Sequence, residues 1–142
     1  MRLLSASPKS RLELKDRLDA IGFPDSVVLE ILNDLERDDL ISDRRYAEDL
    51  VVHLTRFKLS GRRKIDFELK RHRIAPEIRE RVLADLDGEM EFERASELAS
   101  SRARKLEKMP AAKKKKNIYD LLIRRGFDFE VCRRVSDRMK LS

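Results

Sequence analysis

Residues 14–35, LKDRLDAIGFPDSVVLEILNDL, decide the fold of this chain, because two later stretches repeat their pattern. Residues 65–86 read IDFELKRHRIAPEIRERVLADL, displaced by 51 positions, and residues 118–139 read IYDLLIRRGFDFEVCRRVSDRM, displaced by 104. The apolar positions at 14, 18, 23, 27, 31 and 35 fall on apolar residues in both later stretches. Internal similarity with so long a period is typical of stacked supersecondary units.

Each stretch predicts two helices joined by a sharp turn. Leu14 and Leu18 fall on one face of the first helix, and Gly22 stands where that helix should end. Glycine best tolerates the left-handed conformation found there, and Gly126 repeats it, whereas the middle stretch has Arg73. An apolar residue follows each turn and is expected to fill the space between the helices: Phe23, Ile74 and Phe127.

A third helix is predicted after each of the first two pairs, over about residues 43–57 and 90–106. The predicted fold is therefore all-α, with about eight helices in three tandem three-helix repeats, the last lacking its third helix. Such a chain should be elongated and modular, because each unit contacts only its neighbours. The predicted domain boundaries are 1–57, 58–108 and 109–142.

The composition excludes several classes of protein. Gly and Pro number only four each among 142 residues, too few for the many tight turns of a β-sandwich or barrel. Hydrophobic residues make up 41% of the chain, which argues against intrinsic disorder. Charged residues make up 42%, and with Leu, Ile and Val in a 3.6-residue rhythm they favour an all-helical protein.

The location of the protein is also predicted from its sequence. No stretch of 18 apolar residues is present, so no membrane span is expected, and the apolar start at Leu3 and Leu4 is too short for a signal peptide. The single cysteine, Cys132, cannot form an internal disulfide. We therefore expect a cytoplasmic protein that does not contact membranes.

Residues suited to catalysis or to metal binding are few. His53 and His72 are the only histidines, nineteen positions apart, and the carboxylates are spread over helix faces, so no metal site is expected. Cys132 falls on an apolar face with Val131 and Val135, which favours a packed small hydrophobe over a nucleophile. Phosphate-binding and nucleophile-elbow motifs are absent. We expect neither enzymatic activity nor a cofactor.

Charge is distributed unevenly along the chain. The first 50 residues carry 8 basic and 12 acidic side chains, whereas residues 101–142 carry 14 basic and 5 acidic ones. This polarity suggests a polyanion or an acidic protein surface as the partner. The alternative is a solvated helical surface held by salt bridges between neighbouring turns.

Basic residues concentrate within residues 56–73 and again from residue 102 to residue 134. The lysines at 113–116 directly precede the predicted helix that carries Ile118, where each cation opposes the helix dipole by roughly 0.3–1 kcal/mol. They are interpreted either as a binding element or as a disordered linker. Stacked repeats would align equivalent cations into a stripe. The predicted binding residues are Arg62, Arg63, Lys64, Lys70, Arg71, Arg73, Arg102, Arg104, Lys105, Lys115, Lys116, Arg124, Arg125, Arg133 and Arg134.

Few aromatic residues are interleaved with these cations along the sequence. Stacking on splayed bases is therefore not expected. Contact with phosphates, or docking into an acidic groove, fits the pattern better.

Three motifs carry a resemblance to a known family. Residues 40–47, LISDRRYA, resemble its leucine, aspartate, arginine, aromatic, alanine signature. Gly61, Ile65, Glu68 and Leu69 match a Gly-x-x-x-Ile-x-x-Glu-Leu motif, and Arg62 stands where the family often has proline. Residues 124–127, RRGF, resemble its C-terminal Arg-Gly-Phe. Through these motifs, the chain resembles the bacterial regulatory protein RecX family over about residues 10–139.

The resemblance implies three tandem three-helix repeats, the last incomplete, and a role in modulating RecA, usually by inhibition. Relatives bind the RecA–DNA filament along its helical groove and hinder filament growth and strand exchange. The implied partner is the RecA filament on single-stranded DNA, with possible weak binding to DNA itself, and we expect a monomer. The competing interpretation is a general DNA-binding helical module without specificity for RecA.

Overall fold

The computed structural model describes residues 9–139, in which eight α-helices and no β-strand are present. They are α1 (Arg11–Ile21), α2 (Asp25–Arg37), α3 (Asp43–Arg56), α4 (Arg62–Arg71), α5 (Pro76–Ala84), α6 (Gly88–Lys105), α7 (Ala111–Arg124) and α8 (Phe129–Met139). The predicted all-α fold is confirmed. Residues 1–8, including Leu3 and Leu4, and residues 140–142 lie outside the described residues.

The helix boundaries follow the local sequence. Ser10 and Glu13 cap α1 reciprocally: Glu13 N–H donates to Ser10 Oγ at 3.2 Å, and Ser10 N–H donates to Glu13 Oε1 at 3.0 Å. Pro76 occupies the first turn of α5, where its missing N–H is not needed. Asp128 Oδ1 accepts a hydrogen bond from Val131 N–H at 2.9 Å and caps α8.

The three turns between paired helices share one backbone conformation. Gly22 has φ 106°, Gly126 has φ 89°, and Arg73 has φ 62°, all in the left-handed region. After each, the next N–H returns to a carbonyl of the preceding helix, as Ile74 N–H does to Leu69 O at 3.0 Å. The middle turn thus forms without glycine, at a cost of about 1 kcal/mol for the left-handed arginine.

The core consists of three hydrophobic clusters. The first cluster joins α1 and α2 with Ile41, the second joins α3, α4 and α5, and the third joins α6, α7 and α8. The principal contacts between helices also stay within these groups, which is the modular packing that the repeat predicts. Each predicted third helix packs with the pair that follows it. The domain boundaries 1–57, 58–108 and 109–142 and the elongated shape stay predictions.

The apolar residues that follow the three turns differ in burial. Ile74 and Phe127 are 2% and 0% exposed and fill their clusters as predicted, whereas Phe23 is 41% exposed. Ile74 shares its cluster with α3, and Phe127 shares its cluster with α6. In the described residues, no corresponding helix precedes α1. The prediction that Phe23 would be buried is therefore wrong.

The lysines at 113–116 lie inside α7, which begins at Ala111 after the cap residue Pro110. The prediction that they precede the helix is wrong, and so is the interpretation of them as a linker. Alanine and lysine both favour helix, so the chain enters the helix as soon as Pro110 permits it.

Side chains connect the first and second clusters at a surface that we call the first junction. His72 Nδ1 lies 3.0 Å from Glu13 Oε2, and Arg73 forms an ion pair with Asp16. Both contacts join the end of α4 to α1. The carboxylate of Asp16 and the guanidinium of Arg73 are both exposed.

Backbone groups connect the second and third clusters at the second junction. Gly61 N–H donates to Arg125 O at 2.8 Å, and Arg63 N–H donates to Gly126 O at 2.9 Å. A Cβ atom on Gly61 would lie 2.5 Å from Gly126 O, and one on Gly126 would lie 2.2 Å from Lys64 N. Only glycine at both positions permits this approach.

Candidate interaction surface

A concave surface of about 450 Å³ opens beside the second junction, and we call it the basic groove. Its cations come from three segments: the α3–α4 connection, α4, and the residue after α7. Its charged and titratable lining residues are Lys58, Lys64, Arg71, Arg125, His53, His72 and Glu68. Four cations against one carboxylate make this lining basic.

Helical spacing aligns the two long walls of the basic groove. Residues three and four apart share a face of a helix. His53 therefore lies beside Leu50 and Leu54 on α3, and all three line the groove. Lys64 and Arg71 are brought to one face of α4 in the same way, with Glu68 between them.

Glu68 holds the cations of α4 in place. Its carboxylate accepts a hydrogen bond from Arg71 Nη2 at 2.8 Å and lies 3.1 Å from Lys64 Nζ, and its side chain is only 12% exposed. Burial tends to raise the pKa of Glu68, but the hydrogen bonds from Arg71 and Lys64 outweigh it and lower this pKa. Glu68 therefore stays ionised and keeps both cations directed along the groove.

Arg125 connects the basic groove to the second junction. Its Nη1 donates to Lys58 O at 2.6 Å, while its own carbonyl accepts from Gly61 N–H. The Arg125 guanidinium thus lies against the backbone of Lys58, and both residues line the groove although they are far apart in the sequence. The groove brings together three of the predicted binding residues, Lys64, Arg71 and Arg125.

Arg62 is turned into the fold instead. Its guanidinium donates to the carbonyl oxygens of Leu83 at 2.7 Å and Leu86 at 3.2 Å, at the end of α5. Its backbone N–H donates to Glu91 Oε2 at 2.9 Å. The last carbonyl groups of a helix have no partner within the helix, and the guanidinium of Arg62 supplies one here. Arg62 therefore connects α4 to α5 through its side chain and to α6 through its backbone N–H.

Four other predicted residues pair with carboxylates outside the groove. Three of these pairs are Lys70 with Asp66 at 3.1 Å, Arg73 with Asp16, and Arg133 with Glu130 at 3.0 Å. Arg134 lies 3.0 Å from Glu89 Oε1, with its guanidinium carbon 3.9 Å from the Phe92 ring centroid. This stacked arrangement places Arg134 against α6.

The remaining predicted residues lie on helix surfaces around the third cluster and the second junction. Arg102 is half-buried near the end of α6. The exposed members are Arg63, Arg104, Lys105, Lys115, Lys116 and Arg124.

Two buried charged residues that shape this region were not predicted from the sequence. Arg94 Nε donates to Ser60 O at 3.1 Å, and Glu91 accepts from the start of α4. Both are buried on α6, and burial lowers the pKa of the Arg94 guanidinium. A signal existed: Glu91 and Arg94 fall on the same helical face as Leu98, where the pattern calls for apolar residues.

Two groups of possible reactivity are held neutral at physiological pH. Burial raises the pKa of the Cys132 thiol to about 11 and that of the Tyr46 phenol to about 12. Among residues 9–139, no group of His, Cys, Asp and Glu side chains is arranged to hold a metal ion. None of the helices described is both long and apolar enough to cross a membrane.

Comparison with known proteins relates this fold to one family. The profile of the second three-helix domain of RecX matches residues 42–83, and that of the third three-helix domain matches residues 89–135. These ranges coincide with the second and third clusters. The crystal structure of RecX from Lactobacillus salivarius superposes with a TM-score of 0.85 at 25% identity, covering 99% of this chain and 92% of that one.

Proteins that are similar in sequence relate the chain to the same family. The regulatory protein RecX of Mycobacterium sp. strain JLS is 33% identical over 131 residues, which cover 89% of this chain and 72% of the relative. That of Chlorobium limicola is 30% identical over 139 residues, covering 98% and 86%. The chain spans 62% of the length of the Corynebacterium efficiens protein, with 33% identity. With two domain profiles, these relatives and a shared fold, the chain belongs to the RecX family of regulatory proteins.

Proposed function

We propose that this protein regulates RecA, in the direction of inhibition, by binding the RecA filament on single-stranded DNA. Membership of a family of regulatory proteins supports a regulatory role, and the resemblance implies RecA as the partner. The observation that carries the proposal is the basic groove, which gathers Lys64, Arg71 and Arg125 from two clusters into one concave surface. A concave cationic surface attracts an acidic, DNA-filled filament groove.

In the free protein, Glu68 orients Lys64 and Arg71. In this mechanism, phosphates or carboxylates of the filament replace Glu68 as the partners of these two cations. A body held along the filament then limits its growth and strand exchange. The exposed cations of α6 and α7 extend the contact beyond the groove. Lys70, Arg73, Arg133 and Arg134 lie outside the groove, where they pair with other carboxylates, and contribute less.

The mechanism predicts a strong dependence on salt. On single strands, log affinity falls with log salt by about 0.7 for each neutralised phosphate. About three such contacts would weaken binding roughly ten- to twentyfold between about 50 and 200 mM salt. The apolar clusters are little affected over this range, so helicity followed by circular dichroism should barely change.

The deciding experiment is a RecA ATPase assay on single-stranded DNA with this protein titrated in. Lys58→Gln, Lys64→Gln and Arg71→Gln are combined in one variant that leaves the second junction intact. We expect inhibition to require roughly tenfold more of this variant, since it removes three charges from the groove. A control combines Arg37→Gln, Arg44→Gln and Arg45→Gln, which remove the same charge from exposed positions outside the groove. Wild-type inhibition by the folded groove variant would refute the assignment.

The second candidate is a general DNA-binding helical module, which the same basic groove favours. Retention of the protein on RecA-coated single-stranded DNA, compared with retention on bare DNA, separates the two functions. Preference for the coated strand supports RecA regulation, with its consequences for recombination, DNA repair and the SOS response. We further propose that the protein acts as a cytoplasmic monomer, without catalysis or a cofactor.

A further inference from the structure

Two aromatic side chains stand exposed at the edges of the basic groove. Phe57 is 74% exposed and Phe67 is 57% exposed. Phe57 directly follows α3 and comes four residues after His53. It therefore extends the face of α3 on which His53 and Leu54 lie. Phe67 lies on α4 beside Lys64. Neither ring contributes to the buried core.

Contacts tie each ring to a residue that lines the groove. The ring centroids of Phe57 and His53 are 5.7 Å apart, with the planes tilted by 39°. Lys64 Nζ lies 5.3 Å from the centroid of the Phe67 ring. The two phenylalanines therefore lie beside the groove lining, Phe57 directly after α3 and Phe67 on α4.

Exposed aromatic rings beside a row of cations point to one class of ligand. Cations spaced along a groove, with exposed aromatic rings beside them, are the features by which proteins bind single-stranded nucleic acid without sequence preference. The rings provide stacking surfaces for bases, and the cations contact the backbone between them. Stacking on bases was not expected from the sequence, because few aromatic residues are interleaved with the cations. The fold nevertheless concentrates two of them at the groove.

We propose that Phe57 and Phe67 stack on the bases of a single strand of nucleic acid in the basic groove, while Lys64, Arg71 and Arg125 contact its phosphates. An acidic protein segment would use the cations but would leave both rings in water, so the exposed rings favour the nucleic acid. The inference rests on the proposed function for the importance of this groove. Its test contains no RecA.

The test measures fluorescence anisotropy of a labelled oligothymidine strand at low salt, with the chain of 142 residues. The same strand without its bases, an abasic phosphodiester, serves as the second probe. Phe57→Leu and Phe67→Leu are combined in one variant, and Phe129→Leu is the control, because Phe129 is 62% exposed but lies outside the groove. Circular dichroism verifies that all variants fold.

We expect the wild type to bind oligothymidine roughly tenfold more tightly than the abasic strand, since stacking adds to phosphate contact. The double variant should lose this preference and bind both probes alike, while Phe129→Leu should behave as the wild type. Equal binding of both probes by the wild type would overturn the proposal, as would the absence of binding at low salt. Equally effective displacement by polyglutamate would assign the groove to acidic protein instead.

The two proposals fail separately. Inhibition of RecA ATPase by a protein that does not bind oligothymidine would refute the nucleic-acid site and leave RecA regulation standing. Binding of oligothymidine without any effect on RecA would refute RecA regulation and leave the nucleic-acid site standing.

Discussion

The two junctions occupy equivalent places in the repeat but are made of different groups. At the first junction, His72 and Arg73 reach α1 with side chains. At the second, Arg125 and Gly126 hold the connection before α4 through backbone hydrogen bonds of 2.8 and 2.9 Å. Exposed ion pairs contribute about 0–1 kcal/mol each and weaken in salt, whereas backbone bonds and close packing do not depend on charge.

One residue accounts for much of this difference. The left-handed position after the first helix of a pair holds Arg73 at the first junction and Gly126 at the second. Without a Cβ atom, Gly126 lets the start of α4 approach to contact distance. We infer that the repeat specifies where neighbouring clusters meet, while the residue at this position and the one opposite it, Gly61 at the second junction, determine how tightly they meet.

The largest effect is expected for Gly126→Ala. The new Cβ would meet Lys64 N at 2.2 Å and would sit in a left-handed backbone, so we expect a loss of roughly 3 kcal/mol in the free energy of unfolding. Gly22→Ala is the matched control, because Gly22 also has positive φ but open space around it. It should cost only about 1 kcal/mol. Equal losses in urea unfolding would show that the close approach contributes nothing.

Glu91→Ala tests the buried polar part of the second junction. It removes the acceptor of Arg62 N–H and a carboxylate that favours the charged form of buried Arg94, so we expect a loss of about 2 kcal/mol in unfolding free energy. Glu89→Ala removes an exposed carboxylate of the same helix, paired with Arg134, and should cost less than about 0.5 kcal/mol. Comparable urea midpoints for the two variants would contradict this interpretation.

The first junction should respond to acid through Glu13. Burial tends to raise the pKa of Glu13, but hydrogen bonds from Ser10 and His72 outweigh it and lower this pKa below its ordinary value of 4.5. A carboxyl with a lowered pKa stabilises the fold above its unfolded pKa, and this contribution disappears as pH falls through the folded pKa. Below about pH 4.5, the amides of α1 should therefore lose protection, that is, exchange faster relative to their intrinsic rate at the same pH.

Variants isolate the part of this acid response that belongs to the junction, because Glu68 titrates in the same direction. Glu13→Gln should reduce the change in α1 exchange, while Glu30→Gln, exposed on α2, should leave it as in the wild type. An unchanged acid response in Glu13→Gln would assign it to other carboxylates.

The smallest effect is expected for Arg73→Gly. Glycine relieves the left-handed strain but loses the ion pair with Asp16 and adds freedom to the unfolded chain. These contributions nearly cancel, so the unfolding free energy should stay within about 0.5 kcal/mol of the wild type. A loss above about 2 kcal/mol would mean that side chains hold the first junction more strongly than exposed ion pairs normally do.

The fold could be predicted from the sequence because helical periodicity is a local signal. The repeat located the paired helices and the third helices, and Gly22 and Gly126 marked two of the three turns. Phe23 was misjudged because its burial depends on a helix that a neighbouring unit would have to supply. Arg73 shows the opposite case, in which packing imposes a left-handed turn on a residue that does not favour it.

The candidate site was less predictable because it depends on which helices meet. The clusters of basic residues in the sequence predicted Lys64, Arg71 and Arg125 as binding residues, and the fold places all three in one groove. The same clusters predicted Arg62, whose guanidinium instead bonds the end of α5. The exposure of Phe57 beside the groove could not be predicted from the sequence, because an aromatic residue near a helix end usually packs in the core. The binding role of all these residues stays a proposal.

The contact between Gly61 and Gly126 also has a consequence for the order of folding. Most helix contacts join close neighbours in the chain, which permits rapid folding, but this contact closes a long loop that contains α4 to α7. Closing this loop is favourable only once the helices of the second and third clusters have assembled, so we expect the contact to form after the rate-limiting barrier. Gly126→Ala should then accelerate unfolding while leaving the refolding rate nearly unchanged, as the two arms of a chevron plot would reveal. The residence time of the native state would thus depend on a contact that contributes little to the speed of reaching it.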